Sequence, residues 1–198
     1  MWVNIWYQKS FQIGVILAAL GLLTVILFLQ DKFTLRPRFL HWLRRGYLVF
    51  TVVFIGWYAL GQLSVVNVLT FVHALFQDFR WELFLSDPVI FIIWTFTAAT
   101  ILLWGRGVFC GWLCPFGALQ ELINEAARKL KIPQYELPFA VHERLWAIKY
   151  IVLLVLFGIS LESMMMAEKA AEVEPFKTAI TLKFDRQWWF VAYAVFLL

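Results

Sequence analysis

The chain alternates between long apolar runs and short charged clusters, and this alternation is its strongest signal. Ser10 to Gln30 carries no charge, and its centre, Ile13–Leu29, reads IGVILAALGLLTVILFL. A hydrocarbon layer about 30 Å thick needs roughly 20 apolar residues of helix, so a first span is predicted at about 11–29. Gly46 to Gln77 is again free of Lys, Arg, Asp and Glu, and a second span is predicted at 47–68. Asp87-Pro88 has the form of a helix start, with Asp as N-cap and Pro at the first helical position, and opens a third span over 88–104. A fourth, 145–164, carries Lys149 and Glu162 near its ends, where both can snorkel to the interface. A fifth begins at Trp188 and runs over 188–198. The predicted fold class is all-α, a polytopic transmembrane helix bundle of about five spans with the last one truncated. Residues 1–198 form one transmembrane domain, in which 105–131 supplies a cytoplasmic loop and an amphipathic helix. A chain ending in WWFVAYAVFLL stops about half-way through a bilayer, which predicts a fragment. No signal peptide is expected, because neither a basic n-region nor a small-residue cleavage site precedes Asp31.

Composition agrees. Of 198 residues, 63% are hydrophobic, 19% aromatic and 15% charged, whereas a soluble domain is about half apolar and about a quarter charged. Mean hydropathy is +0.77, so membrane lipid is the expected solvent and intrinsic disorder is excluded. Two cysteines are too few for a disulfide-stapled secreted domain.

The net charge of +4 could point to nucleic acid, but the basic residues lie in two loops and form no basic face. Lys32, Arg36, Arg38, Arg44 and Arg45 face Asp31 alone in the first loop. Arg106, Arg128, Lys129, Lys131, Arg144 and Lys149 outnumber the glutamates of 105–149. Loop 78–87 has only Arg80 against Asp78, Glu82 and Asp87, and loop 162–187 is slightly acidic. The positive-inside rule therefore predicts a membrane protein with its N-terminus outside and loops 30–45 and 105–149 in the cytoplasm. Tryptophans fit this map as aromatic belts, with Trp2, Trp6, Trp81, Trp188 and Trp189 outside and Trp42, Trp104, Trp112 and Trp146 inside.

The chemistry is concentrated in Gly105–Gly117, which reads GRGVFCGWLCPFG and holds both cysteines, Cys110 and Cys114. Its glycines permit tight turns around a compact ligand. Pro115 suits the first position of a helix capped by Cys114, and Phe116, Leu119, Leu122, Ile123, Ala126 and Leu130 continue it at helical spacing to about Lys131. Thiolates at a helix N-terminus beside Arg106 have their anionic form stabilised, which suits an anionic iron–sulfur cluster. A cluster takes four ligands and the chain has two cysteines, so the others must come from elsewhere. Zinc completed by His41 or His142 lacks the compact second pair usual for such sites. Two thiols can also serve simply as small apolar core residues. A disulfide is disfavoured in reducing cytoplasm.

CGWLCPFGALQE, a Cys-x-x-x-Cys-Pro motif following a transmembrane helix, resembles the membrane domain of NosR/NirI-type proteins, and the motif also occurs in NapH-like quinol dehydrogenases and CcoG-type proteins. The resemblance implies a membrane iron–sulfur flavoprotein accessory to nitrous oxide or nitrite reduction, with Cys110 and Cys114 as cofactor-binding and metal-ligating residues of a 4Fe-4S cluster. It further implies an FMN-binding periplasmic domain before the spans, a second such motif and ferredoxin-like clusters after them. None of these three is present in the 198 residues. Quinol, a periplasmic reductase and its maturation factors are the implied partners. A redox- or metal-sensing regulatory protein without bulk electron transfer is the alternative, and no catalytic residue is expected.

Other residues carry weaker chemistry. His73 is read as an interfacial or packing histidine, and Met164–Met166 as membrane-edge packing. Phe71–Leu85 is read as an outer interfacial or re-entrant segment able to wall a quinol pocket, and Glu168, Glu172 and Glu174 as a solvated outer loop. No span holds the mid-membrane charge that marks an ion pathway.

Overall fold

A computed structural model describes residues 2–29, 32, 36–76, 81, 85–104, 108–133, 138–171 and 174–198. Among them the regular structure is helical, with no strand. Helices α1 (Trp2–Gln8) and α2 (Ser10–Phe28) open the chain. At 19 residues, α2 is long and apolar enough to cross a membrane. It is the one helix among the described residues that meets this test; the apolar Pro88–Trp104 and Trp188–Leu197 are shorter.

Helix α3 runs over Pro37–Phe50 and continues as a π-helix over Thr51–Tyr58. The expected second span, 47–68, is therefore not one helix. It stops at Tyr58, passes through a non-helical stretch at 59–64, and restarts as α4 (Val65–Phe76). Two features end it. Leu60 takes a left-handed φ of 51°, which an L side chain adopts at a cost. Gly61 lies so close to the helix Pro88–Trp104 that a Cβ there would stand 2.8 Å from Ile93 Cδ1 and 2.9 Å from Val89 Cγ1. That break is what lets the chain cross over α5 (Pro88–Trp104) at van der Waals distance.

Pro88 opens α5 as expected, and the Asp87 carboxylate takes an ion pair from Lys9 at 3.0 Å. A π-turn over Phe109–Leu113 leads into α6 (Pro115–Lys129). Helix α7 (Phe139–Glu162) starts ahead of the expected fourth span, and α8 (Met164–Ala170) follows. A second π-turn (Lys177–Thr181) precedes α9 (Trp188–Leu197).

The main core joins Ile16, Leu20 and Leu23 of α2, Tyr47 and Ile55 of α3, Val89 and Ile93 of α5, and Val108 and Leu113. The last two belong to the cysteine segment, which thus packs inside the helix assembly. Thr51 Oγ1 anchors it further by donating to the Trp112 carbonyl at 2.9 Å.

Helix α6 lies antiparallel to α3, because Ala118 meets Leu48 and Val52 while Glu121 and Glu125 reach back to Arg44 and Arg45. Arg44 Nη2 bonds Glu121 Oε2 at 2.8 Å, and Arg45 Nε bonds Glu125 Oε2 at 2.7 Å. His41 and Lys129 also face Glu125, each at 3.8 Å. A networked, partly covered carboxylate of this kind contributes about 1 kcal/mol. Glu125→Ala is expected to lower the unfolding free energy by about that amount, measured by thermal or urea unfolding in detergent.

Candidate metal centre

Cys114 is the N-cap of α6. Its backbone is extended (φ −75°, ψ 112°), its N–H donates to the Phe109 carbonyl at 2.7 Å, and Pro115 occupies the first helical position. The capping acceptor is the sulfur itself, since Gly117 N–H donates to Cys114 Sγ at 3.5 Å. Gly117 suits this geometry, as a Cβ there would stand 3.0 Å from the Cys110 carbonyl, a tight contact. The sequence expectation that Cys114 caps a helix begun by Pro115 is met.

Cys110 is exposed and Cys114 half-buried, and both are free thiols. Partial burial of its sulfur pushes the Cys110 thiol above its ordinary range, Cys114 adds to this, and Lys149 opposes it. Arg44 lies over the Trp112 ring at 5.4 Å, so one guanidinium ties the motif to the α3–α6 ion pairs.

Two neighbours of Cys114 come from segments whose sequence carries no motif. Gln62, in the break between α3 and α4, donates from Nε2 to Cys114 Sγ at 3.8 Å and to the Leu63 carbonyl at 3.1 Å. The π-turn Lys177–Thr181, expected as part of a solvated outer loop, instead folds inward. It buries Thr178, Ala179 and Ile180, with Ile180 packed in one cluster with Phe116 and Cys114. Gly56 of α3 completes the wall, where a Cβ would stand 2.8 Å from Pro115 Cβ and 3.3 Å from Ile180 Cγ2. Apolar periodicity gives no hint of either neighbour. The available signals were a glycine next to a polar residue in an apolar run, Gly61-Gln62, and the uncharged stretch Thr178–Leu182.

The other candidates fall elsewhere. His41 faces Glu125. Arg106, Glu172 and the side chains of His73, His142, Met164 and Glu168 lie outside the described residues. Met165 and Met166 are exposed. Glu174 is not a free surface acid: its carboxylate accepts from Ser64 Oγ at 2.6 Å and Val65 N–H at 2.9 Å, bracing the start of α4. Burial raises its pKa, and those hydrogen bonds and Lys177 oppose the rise. Phe71, Trp81 and Trp94, with polar Asn67, Thr70 and Asp87, line a cavity of about 410 Å³.

Among the described residues, no group of three or more His, Cys, Asp or Glu side chains is placed to hold a metal ion. The donor set is thus two thiols, one carrying two N–H donors, and this fits half the ligand shell of an iron–sulfur cluster.

Comparison with known proteins agrees with this chemistry. Residues 86–133, from the start of α5 through α6, match the family described as 4Fe-4S binding domain. Over its whole length the chain is 91% identical to Regulatory protein NosR of Stutzerimonas stutzeri and 76% identical to Regulatory protein NosR of Pseudomonas aeruginosa. It is 50% identical to Protein NirI of Paracoccus denitrificans, again over all 198 residues. The chain is helical among its described residues, and its identity to these relatives along all 198 residues, with the 4Fe-4S match over 86–133, supports the NosR/NirI-type family. It spans 27%, 28% and 29% of the length of these three relatives. No solved structure matches it.

Proposed function

We propose that this chain is the membrane core of a denitrification electron-transfer protein, and that Cys110 and Cys114 supply two of the four ligands of a 4Fe-4S cluster. The observation that carries the reading is Cys114 Sγ at the N-cap of α6, accepting from two N–H groups and four residues from a second free thiol. The remaining two ligands come from elsewhere in the longer protein. When bound, the cluster supplies one-electron chemistry. The chain's part is to hold the thiolates, donate hydrogen bonds to one of them, and shield it with Phe116, Ile180 and Pro115. Electrons from quinol or a cytoplasmic donor pass toward a periplasmic FMN domain and reductase, and the protein sits in the bacterial inner membrane as a multi-pass bundle.

The outer surface supports a lipid setting. Leu102 is 85% exposed on α5 and Phe196 85% on α9, with Leu17, Val25, Leu154 and Val155 also outward. Apolar patches this extensive are rare on water-soluble monomers. The π-turn Lys177–Thr181 buries Thr178, Ala179 and Ile180, and protein cover is the condition under which irregular backbone persists at membrane depth. In this reading the motif enters from the cytoplasmic side, Lys177–Thr181 enters from the periplasmic side, and the two meet at Gly56. Reporter fusions after Lys131 are expected to read cytoplasmic, and fusions after Asp185 periplasmic. The reverse pattern would overturn the orientation.

The name Regulatory protein given to two relatives favours a second reading, a redox or metal sensor using the same thiols. Purified full-length protein separates the two readings. Quinol-dependent reduction of an acceptor supports electron transfer, and reversible thiol chemistry without turnover supports sensing.

A further inference from the structure

We propose that Gln62 is a positioning residue of the cysteine centre, whose amide N–H donated to Cys114 Sγ sets the reduction potential of the cluster that this thiolate ligates. The inference rests on the cluster reading above.

Gln62 is 8% exposed and lies in the non-helical stretch between α3 and α4, remote in sequence from the motif. Its orientation is dictated by chemistry. The Leu63 carbonyl facing Nε2 at 3.1 Å can only accept, and Cys114 Sγ at 3.8 Å does the same as a ligating thiolate, so rotating the amide to present Oε1 would set acceptor against acceptor. The chosen orientation leaves Oε1 buried with no hydrogen-bond partner among the described residues. Buried orphan acceptors are uncommon and costly. Two residues earlier, Leu60 holds a left-handed φ of 51°, also costly for a branched side chain. The stretch is clamped from outside: Gly61 N–H donates to the Ile55 carbonyl at 2.8 Å, Gly61 abuts Val89 and Ile93, and Ser64 is held by Glu174. Two locally unfavourable features are thus retained in a braced segment whose buried amide reaches the motif sulfur.

Hydrogen bonds to ligand sulfurs tune iron–sulfur potentials, because a donor stabilises the more negative, reduced state. Cys114 has two such donors: Gly117 N–H, which belongs to the helix cap, and Gln62 Nε2, which a side-chain replacement removes. The affected step is the uptake of one electron by the oxidised cluster, and the Gln62 N–H stabilises its product.

The test is an EPR-monitored redox titration of the full-length protein carrying Gln62→Met, Gln62→Leu or Glu174→Gln, with Cys110→Ser/Cys114→Ser identifying which signal belongs to this centre. Gln62→Met keeps the length without the donor, and Gln62→Leu also removes it, without adding charge, if Met is poorly tolerated. Both are expected to lower the reduced-to-oxidised ratio at fixed potential about tenfold, which is about 59 mV for a one-electron couple. Glu174→Gln disturbs the same break without touching Cys114 and is expected to leave the potential in place. An unshifted potential in a Gln62 variant that retains the signal would overturn the proposal, and so would an equal shift in Glu174→Gln, which would mark a purely structural role. No signal lost in the double serine variant would instead overturn the cluster reading beneath it.

Discussion

Serine at positions 110 and 114 removes about four iron atoms per chain from the full-length protein and leaves its helices intact. The second half of that expectation follows from the cap. Cys114 is the N-cap of α6, and its sulfur accepts from Gly117 N–H. Serine is among the preferred N-cap residues, and its smaller oxygen serves the same backbone donor. Cys110 is exposed, so serine there empties no core space. Helix content by circular dichroism should therefore match the parent while iron by elemental analysis falls. A matched loss of both would mean the cysteines support the fold, and unchanged iron would mean that other residues hold it.

The second large effect is expected at a glycine far from the motif in sequence. A methyl group at Gly56 would stand 2.8 Å from Pro115 Cβ, and neither group can yield easily: one is on a helix backbone, the other in a proline ring. Gly56→Ala should cost about 1–3 kcal/mol by overpacking. It should also push Pro115, and Cys114 with it, off its seat against Ile180, lowering iron content without touching a ligand. Gly14→Ala is the control. Nothing lies within 4 Å of its Cβ position in α2, so alanine there should be neutral or stabilising by about 0.5–1 kcal/mol. Thermal unfolding in detergent, with iron measured on the same samples, checks both variants. Equal behaviour of the two would show that the Gly56–Pro115 contact does not position the motif.

Much of the site was legible because its local chemistry is self-contained. Cys114-Pro115 announces a capped helix within five residues, and the charge order of 121–131 gives that helix its polar side. Apolar length likewise gives α2 and the start of α5 at Pro88. What surrounds the cysteines was not legible. The break at 59–64 sits in an uncharged run, and hydropathy reads Ala59–Leu63 as span because one buried glutamine barely lowers the average. Its cause is tertiary, the close approach of Gly61 to Val89 and Ile93. Lys177–Thr181 lies within the charged loop 162–187 and opens on a lysine, so it read as outer loop, yet Ile180 fills the space beside Phe116. Glu174 looked like a solvated acid because the hydroxyl and amide it binds lie more than a hundred residues earlier. Pairings at such separations leave no periodic trace in one sequence.

The central claim is that Cys110 and Cys114 hold an electron-carrying cluster. Its most direct test is the EPR spectrum of the dithionite-reduced full-length protein beside that of its Cys110→Ser variant. The account predicts one iron–sulfur component present in the parent and missing from the variant, while signals from any other cluster persist. Identical spectra from the two proteins would contradict it.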